Sequence, residues 1–277
     1  MRQRLLNLAK EDGQVFDVVL VAYGLERLIY RLSQSDYRDC FVLKGGLLVT
    51  LWTVDFNSGR FTRDADFLGM GSADEDSLKA AFTDILKIES DDGLVFDTAD
   101  LTAAAIREDQ IYGGMRLKTK AYLGKTVINI TIDIGFGDAM AQPEYTIEYP
   151  SLLDHPTTTI RAYSPATVMA EKFQAVIALG AVNGRMKDFY DLWAIPQAQD
   201  ISDDDLAAAI AATFKRRETE IPSECPIALT PAYTKDVSKL RQWRAYAASI
   251  DLDQPDLSVL ADAIWKKLEP ICKSIIR

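Results

Sequence analysis

The chain has 277 residues, room for about two domains of roughly 150 residues each. Its 48% apolar and 26% charged residues, with 15 Gly and 10 Pro, exclude a disordered, collagenous or low-complexity chain. A net charge of -10, from 31 Lys and Arg against 41 Asp and Glu, speaks against a generic duplex-DNA binder, so an anionic substrate would need a local basic pocket or a divalent cation.

The start, Met1-Arg2-Gln3-Arg4-Leu5-Leu6, has no apolar core of signal-peptide length, and no 18-residue apolar stretch follows. A cytoplasmic protein with no membrane segment is expected. Residues 3–10 and 14–33 read as helices, the second carrying Val18, Val21, Ala22, Leu25, Leu28, Ile29 and Leu32 on one face. Phe41-Val42-Leu43 reads as a short strand broken at Lys44-Gly45-Gly46, residues 47–53 as a helix, and Asn57-Ser58-Gly59 as a turn. Arg60 to Leu68 alternates enough for a strand, and residues 75–88 form an amphipathic helix on Leu78, Ala81, Phe82, Ile85 and Leu86.

From Gly93 to Asp138 the period is two. Residues 115–121 and 127–134 read as a hairpin turning near Gly124, with Ile128, Ile130, Ile132 and Ile134 facing the core. Asn129, Thr131 and Asp133 then line the other face. Residues 143–160, rich in Pro and Thr, read as a link to a second region. Ser164-Pro165 caps a helix to about Leu179, a further helix runs through Trp193, and helices separated by Pro222, Pro226 and Pro231 fill residues 201–277. The expected fold is α+β: an α/β half over residues 1–150, then an α-helical half over 160–277.

The single histidine, His155, sits in a turn-like Leu153-Asp154-His155-Pro156, which leaves little room for imidazole catalysis or a His-rich zinc site. Cys40, Cys225 and Cys272 form no CxxC and read as thiols of a reducing compartment. The strongest chemical signal is Arg60-Phe61-Thr62-Arg63-Asp64-Ala65-Asp66-Phe67. Asp64 and Asp66, two apart on a strand, share a face; their repulsion is unfavourable unless a hard cation such as Mg²⁺ relieves it. A solvated strand end is the competing reading. Arg60 and Thr62 would share that face and offer donors to a phosphate, and Asp133 on a neighbouring strand is a natural third carboxylate.

Lys44-Gly45-Gly46 lets backbone N–H groups approach an anion at a helix start. Lys172 lies on the 165–179 helix, while Asp188 and Asp191, three apart, share a helix face; Lys187 and Asp191 could equally be a surface i,i+4 pair. Arg116, Lys118, Lys120 and Lys125 form the best basic stripe, fit either for RNA phosphates or for a solvated face. Gly124-Lys125-Thr126 mimics a P-loop end, but Thr119 stands where Gly is needed and a strand follows instead of a helix.

Taken in order, Lys44-Gly45-Gly46, Arg60-x-Thr62-x-Asp64-x-Asp66, Asp133, Lys172 and Lys187-Asp188-x-x-Asp191 resemble the AbiEii/AbiGii nucleotidyltransferase toxins of abortive-infection and toxin–antitoxin systems, within the DNA polymerase beta-like superfamily. The matching stretch covers about 41–192, and the resemblance implies a mixed sheet flanked by helices in the first domain and a helical domain that contributes to the active-site cleft. The resemblance implies that Asp64, Asp66 and Asp133 hold Mg²⁺, with Asp133 also helping to activate the acceptor hydroxyl. Lys44, Gly45, Gly46, Arg60 and Thr62 would bind the nucleotide, Lys172 and Asp188 would join the catalytic set, and Lys187 and Asp191 would complete the pocket. Gly-Gly replaces the superfamily's usual Gly-Ser turn, removing a hydroxyl contact to phosphate. The implied reaction is metal-assisted transfer from an NTP to an RNA acceptor such as tRNA, by a monomer with a cognate antitoxin. The alternatives are an NTP-binding module without transfer, and a non-enzymatic RNA binder using the basic stripe.

Overall fold

The computed structural model describes residues 1–53, 59–106, 113–142, 145–252 and 256–277. Asn57 and Ser58 of the expected turn lie outside them. The chain divides into one unit of residues 1–48, 61–138 and 144–162, and a second of 49–60, 139–143 and 163–277.

In the first unit, α1 (Arg2–Glu11) and α2 (Phe16–Ser33) precede β1 (Phe41–Lys44), α3 (Gly46–Thr53) begins directly after Gly45, and β2 (Asp64–Gly69) and α4 (Glu75–Lys87) follow. Then come β3 (Leu94–Phe96), β4 (Thr102–Ile106), β5 (Gly114–Leu123) and β6 (Thr126–Phe136), and finally the separate antiparallel pair β7 (Thr146–Tyr149) and β8 (Thr158–Arg161). The main sheet runs β1-β2-β6-β5-β3, with β4 also on β5. It is mixed: β2 and β6 are parallel, whereas β1–β2, β5–β6, β3–β5 and β4–β5 are antiparallel.

Period two works here as expected. Ile128, Ile130, Ile132 and Ile134 are all buried, and α2 lies so close over β6 that a Cβ on Gly24 would stand 2.8 Å from Ile130 Cδ1. Helix α4 buries Leu78, Ala81, Phe82, Ile85 and Leu86, with the Phe82 ring 5.0 Å from that of Phe41 on β1. Asp74 caps α4 by accepting from the Ser77 N–H.

Two stretches differ from expectation. The strand expected from Arg60 begins at Asp64, because β1 pairs only with residues 66–69 and β6 only with 64–69, so the chain before Asp64 has no ladder partner. Residues 143–160 are not a plain link. Thr158-Thr159-Ile160 has the β-branched character of a strand and pairs with Thr146–Tyr149, burying Ile160. Residues 143 and 144 lie outside the described set.

A charged cluster lies in the same unit. Asp92 accepts from Arg27 Nε at 2.9 Å, Arg31 Nη1 at 2.6 Å and the Leu94 N–H at 3.0 Å. Tyr23 Oη donates to the Asp92 carbonyl at 2.8 Å and stands 3.0 Å from His155 Nε2, so the lone histidine closes a structural network at a turn.

The second unit is helical: α5 (Pro165–Leu179), α6 (Met186–Ala198), α7 (Asp203–Arg216), α8 (Pro231–Thr234), α9 (Val237–Ser249) and α10 (Leu257–Ile276). Ser164 caps α5 by accepting from the Thr167 N–H, with Pro165 in the first turn. Phe173 of α5 meets Phe214 of α7 at 5.4 Å, and α10 buries Leu257, Leu260, Ala261, Ile264, Leu268, Ile271 and Cys272. No helix among the described residues is long and apolar enough to cross a membrane.

Candidate metal centre

On β2 the side-chain period places Asp64 and Asp66 on one face, and the parallel register sets Asp66 beside Asp133 of β6. One carboxylate oxygen from each of the three lies within 4.8 Å of the others, each residue being half-buried. Three hard oxygen donors at this spacing suit Mg²⁺ or a similar divalent ion. The charges tell the same story: burial, then the neighbouring Asp64, push the Asp66 carboxyl up to about 6, against the pull of Lys44 and the Gly46 N–H. A carboxylate crowded by like charge is what a bound cation would relieve.

The two glycines make room for this arrangement. Gly45 has φ +74°, and a Cβ there would stand 2.1 Å from Asp66 Oδ2; a Cβ on Gly46 would come within 2.9 Å of Thr62 Cβ. The Gly46 N–H, at the start of α3, points at Asp66 Oδ2 over 3.4 Å, and Thr62 Oγ1 donates to Asp64 Oδ1. Gly45→Ala must adopt a left-handed backbone and displace the Asp66 side chain. It is expected to cost about 1–3 kcal/mol and to weaken any divalent-ion binding, checked by urea denaturation and Mn²⁺ titration.

Lys44, expected on the nucleotide, holds Asp138 through Nζ at 2.6 Å. Two of the four residues of the basic stripe are paired with acids. Arg116 donates through Nε and Nη2 to Asp133 Oδ1 and Oδ2 at 2.7 and 2.6 Å, and Lys120 Nζ reaches Asp100 at 2.7 Å. Arg116, which the sequence leaves open between RNA phosphates and a solvated face, thus lies against a carboxylate of this cluster. The hairpin register held the signal: equal steps back from the Gly124-Lys125 turn set Arg116 opposite Asp133.

The remaining candidates form a separate cluster in the second unit. Arg60 donates through Nε and Nη2 to both oxygens of Asp191 at 2.9 and 3.0 Å. Lys172 Nζ lies 2.7 Å from Asp191 Oδ2 and 3.0 Å from Asp188 Oδ1, and Arg185 Nε is 2.7 Å from Asp188 Oδ2. Arg60, Asp188 and Asp191 are buried, whereas Lys187 is exposed, and the partners of Asp191 are Arg60 and Lys172. Arg60 shares no strand face with Asp64; its guanidinium is spent on Asp191.

Burial would raise the Asp191 carboxyl, but Lys172 and Arg60 outweigh it and hold it near 2. Its folded value lies below the unfolded one, so its stabilisation is present above about pH 4 and lost as pH falls through about 2. Asp191→Asn is expected to lose about 2 kcal/mol at pH 7 and less at pH 3, measured by urea denaturation at both values.

The family model described as "Nucleotidyl transferase AbiEii toxin, Type IV TA system" matches residues 27–269. No curated protein sequence matches this chain. Two solved structures from Helicobacter pylori share its fold. JHP933 is 16% identical, covers 91% of this chain and 90% of its own, and has a TM-score of 0.51. A candidate nucleotidyltransferase is 14% identical, with 94% and 96% covered and a TM-score of 0.52. With 27–269 matched by the family model and a mixed sheet presenting three clustered carboxylates, the chain belongs to the AbiEii nucleotidyltransferase toxin family of type IV toxin–antitoxin systems.

Proposed function

We propose that the chain is a Mg²⁺-dependent enzyme that transfers a nucleotidyl group from an NTP to an RNA acceptor such as tRNA. It acts in the cytoplasm as a monomeric toxin countered by a cognate antitoxin. The observation that carries the reading is the clustering of Asp64, Asp66 and Asp133 within 4.8 Å on one sheet face.

Asp64, Asp66 and Asp133 would hold the divalent ion. When bound, that ion neutralises phosphate charge and favours the acceptor hydroxyl in its deprotonated form. The acceptor oxygen forms a bond to the α-phosphorus, the bond from that phosphorus to the bridging oxygen of the β-phosphate breaks, and pyrophosphate leaves. Asp133 takes the hydroxyl proton. Gly45 and Gly46 keep the backbone open beside Asp66, and Lys44 and Thr62 orient the phosphates at the same edge. Arg60, Lys172, Asp188 and Asp191 balance one another's charge, and their part is to hold the helical unit in shape.

The test is incubation of the full chain with Mg²⁺, total bacterial RNA and each α-labelled NTP in turn. Label on RNA from one NTP supports the reading. NTP binding without label on RNA or protein overturns it in favour of a binding module, and salt-sensitive RNA binding that survives loss of Asp64 and Asp66 overturns it in favour of an RNA binder.

A further inference from the structure

The triad already contains a cation of its own. Arg116, on β5 opposite Asp133, engages both oxygens of that carboxylate with two parallel N–H groups at 2.7 and 2.6 Å, the strongest form of charge-assisted pair. The other two carboxylates have weaker company. Asp64 accepts from the Thr62 hydroxyl, Asp66 faces the Gly46 N–H at 3.4 Å, and the Lys44 ammonium donates to Asp138 at 2.6 Å. Among the described residues, Asp133 is the member of the triad hydrogen-bonded directly to a full positive charge, although a divalent ion would need its oxygens as well.

The position of Arg116 distinguishes it from a structural arginine. Its side chain is 43% exposed, whereas Arg27 and Arg31, which hold Asp92, are 1% and 2% exposed. At an exposed rim the fork is open to exchange onto an incoming phosphate, which would replace the two hydrogen bonds it gives the carboxylate. Its planar donors match a phosphate as well as they match a carboxylate.

We propose that Arg116 is a resident counter-cation that competes with the divalent ion for Asp133 and is drawn away by the phosphates of the nucleotide. The inference rests on the metal-centre reading above. It makes nucleotide and metal reinforce each other: the nucleotide removes the competitor, and the metal frees Arg116 for the phosphates. A purely structural Arg116, one that only aims Asp133 at the metal, would have the opposite signature, since its loss would weaken metal binding.

The experiment titrates the nucleotide-free full chain with Mn²⁺, following free Mn²⁺ by electron paramagnetic resonance, for wild type, Arg116→Gln and Arg116→Lys. Separately, each of the four NTPs is titrated in EDTA. Arg116→Gln is expected to bind Mn²⁺ about tenfold more tightly than wild type and the preferred NTP about tenfold more weakly, the scale of a typical coupling. Arg116→Lys, which keeps the charge without the fork, falls between and decides the matter if the Gln variant does not fold. Unchanged or weaker Mn²⁺ binding in the variants overturns the competition, and unchanged NTP binding overturns the exchange onto phosphate. Absence of Mn²⁺ binding in every protein, wild type included, overturns the metal centre itself.

Discussion

Asp64→Ala is expected to reduce nucleotidyl transfer at least about a thousandfold, while the metal-free protein unfolds no more easily than wild type. The loss follows because a bound metal contributes several kcal/mol to charge stabilisation in phosphoryl chemistry, and each 1.4 kcal/mol is about tenfold in rate. The preserved stability follows because Asp64 is half-buried beside Asp66 and Asp133, so its removal relieves like-charge repulsion. Asp66→Asn extends the same result to pH. Burial and then Asp64 raise the Asp66 carboxyl to about 6 in the folded protein, above its unfolded value. The metal-free wild type therefore loses stability as pH rises from about 4 to about 6, by up to about 3 kcal/mol, and Asp66→Asn removes that slope. Thermal melts in EDTA from pH 4 to 8, beside the transfer assay, check both parts.

Asp92→Ala is expected to cost about 3–5 kcal/mol and to leave the carboxylate triad untouched. Asp92 is fully buried and faces Arg27 and Arg31, themselves 1% and 2% exposed. Burial alone would raise its carboxyl, yet the Arg31 hydrogen bond, the Leu94 N–H and Arg27 hold it below the usual carboxylate range. Removing it leaves two guanidinium groups buried without their main counter-charge. Arg27 keeps Glu26 at 3.3 Å and Ser90 at 3.0 Å, and Arg31 keeps the Ile88 carbonyl at 3.0 Å, so the loss is large without being total. Urea denaturation measures it, and a loss under about 1 kcal/mol would mean that the cluster relaxes by admitting water.

Much of the fold was legible because its elements announce themselves by period. The alternation of Ile128, Ile130, Ile132 and Ile134 fixes which face is buried, and with it the face that carries Asp133. Ser164-Pro165 marks a helix start by cap chemistry alone. The carboxylate triad was legible too, since two aspartates two apart on a strand must share a face. What brings Asp133 to them is the parallel β2–β6 pairing, a non-local contact that no local pattern encodes. The same reason explains the misses. Arg60 reads as a strand residue, but its partner Asp191 stands 131 positions away, and the ion pair rather than alternation fixes its place. The ion pairs of Lys172 with Asp188 and Asp191, and of Lys44 with Asp138, join residues that are likewise far apart in the chain, so no local pattern shows them. Arg27 and Arg31, four apart on an otherwise apolar helix face, were a readable sign of a buried acid, although nothing local identifies Asp92 as that acid.

The claim on which the rest depends is that Asp64, Asp66 and Asp133 together hold a divalent cation. The direct measurement is an anomalous difference map from crystals of the wild-type chain soaked in Mn²⁺ with an NTP analogue that cannot be cleaved. A manganese peak within bonding distance of oxygens from all three aspartates is the predicted result. An empty triad at saturating Mn²⁺, with nucleotide bound elsewhere in the chain, would contradict it.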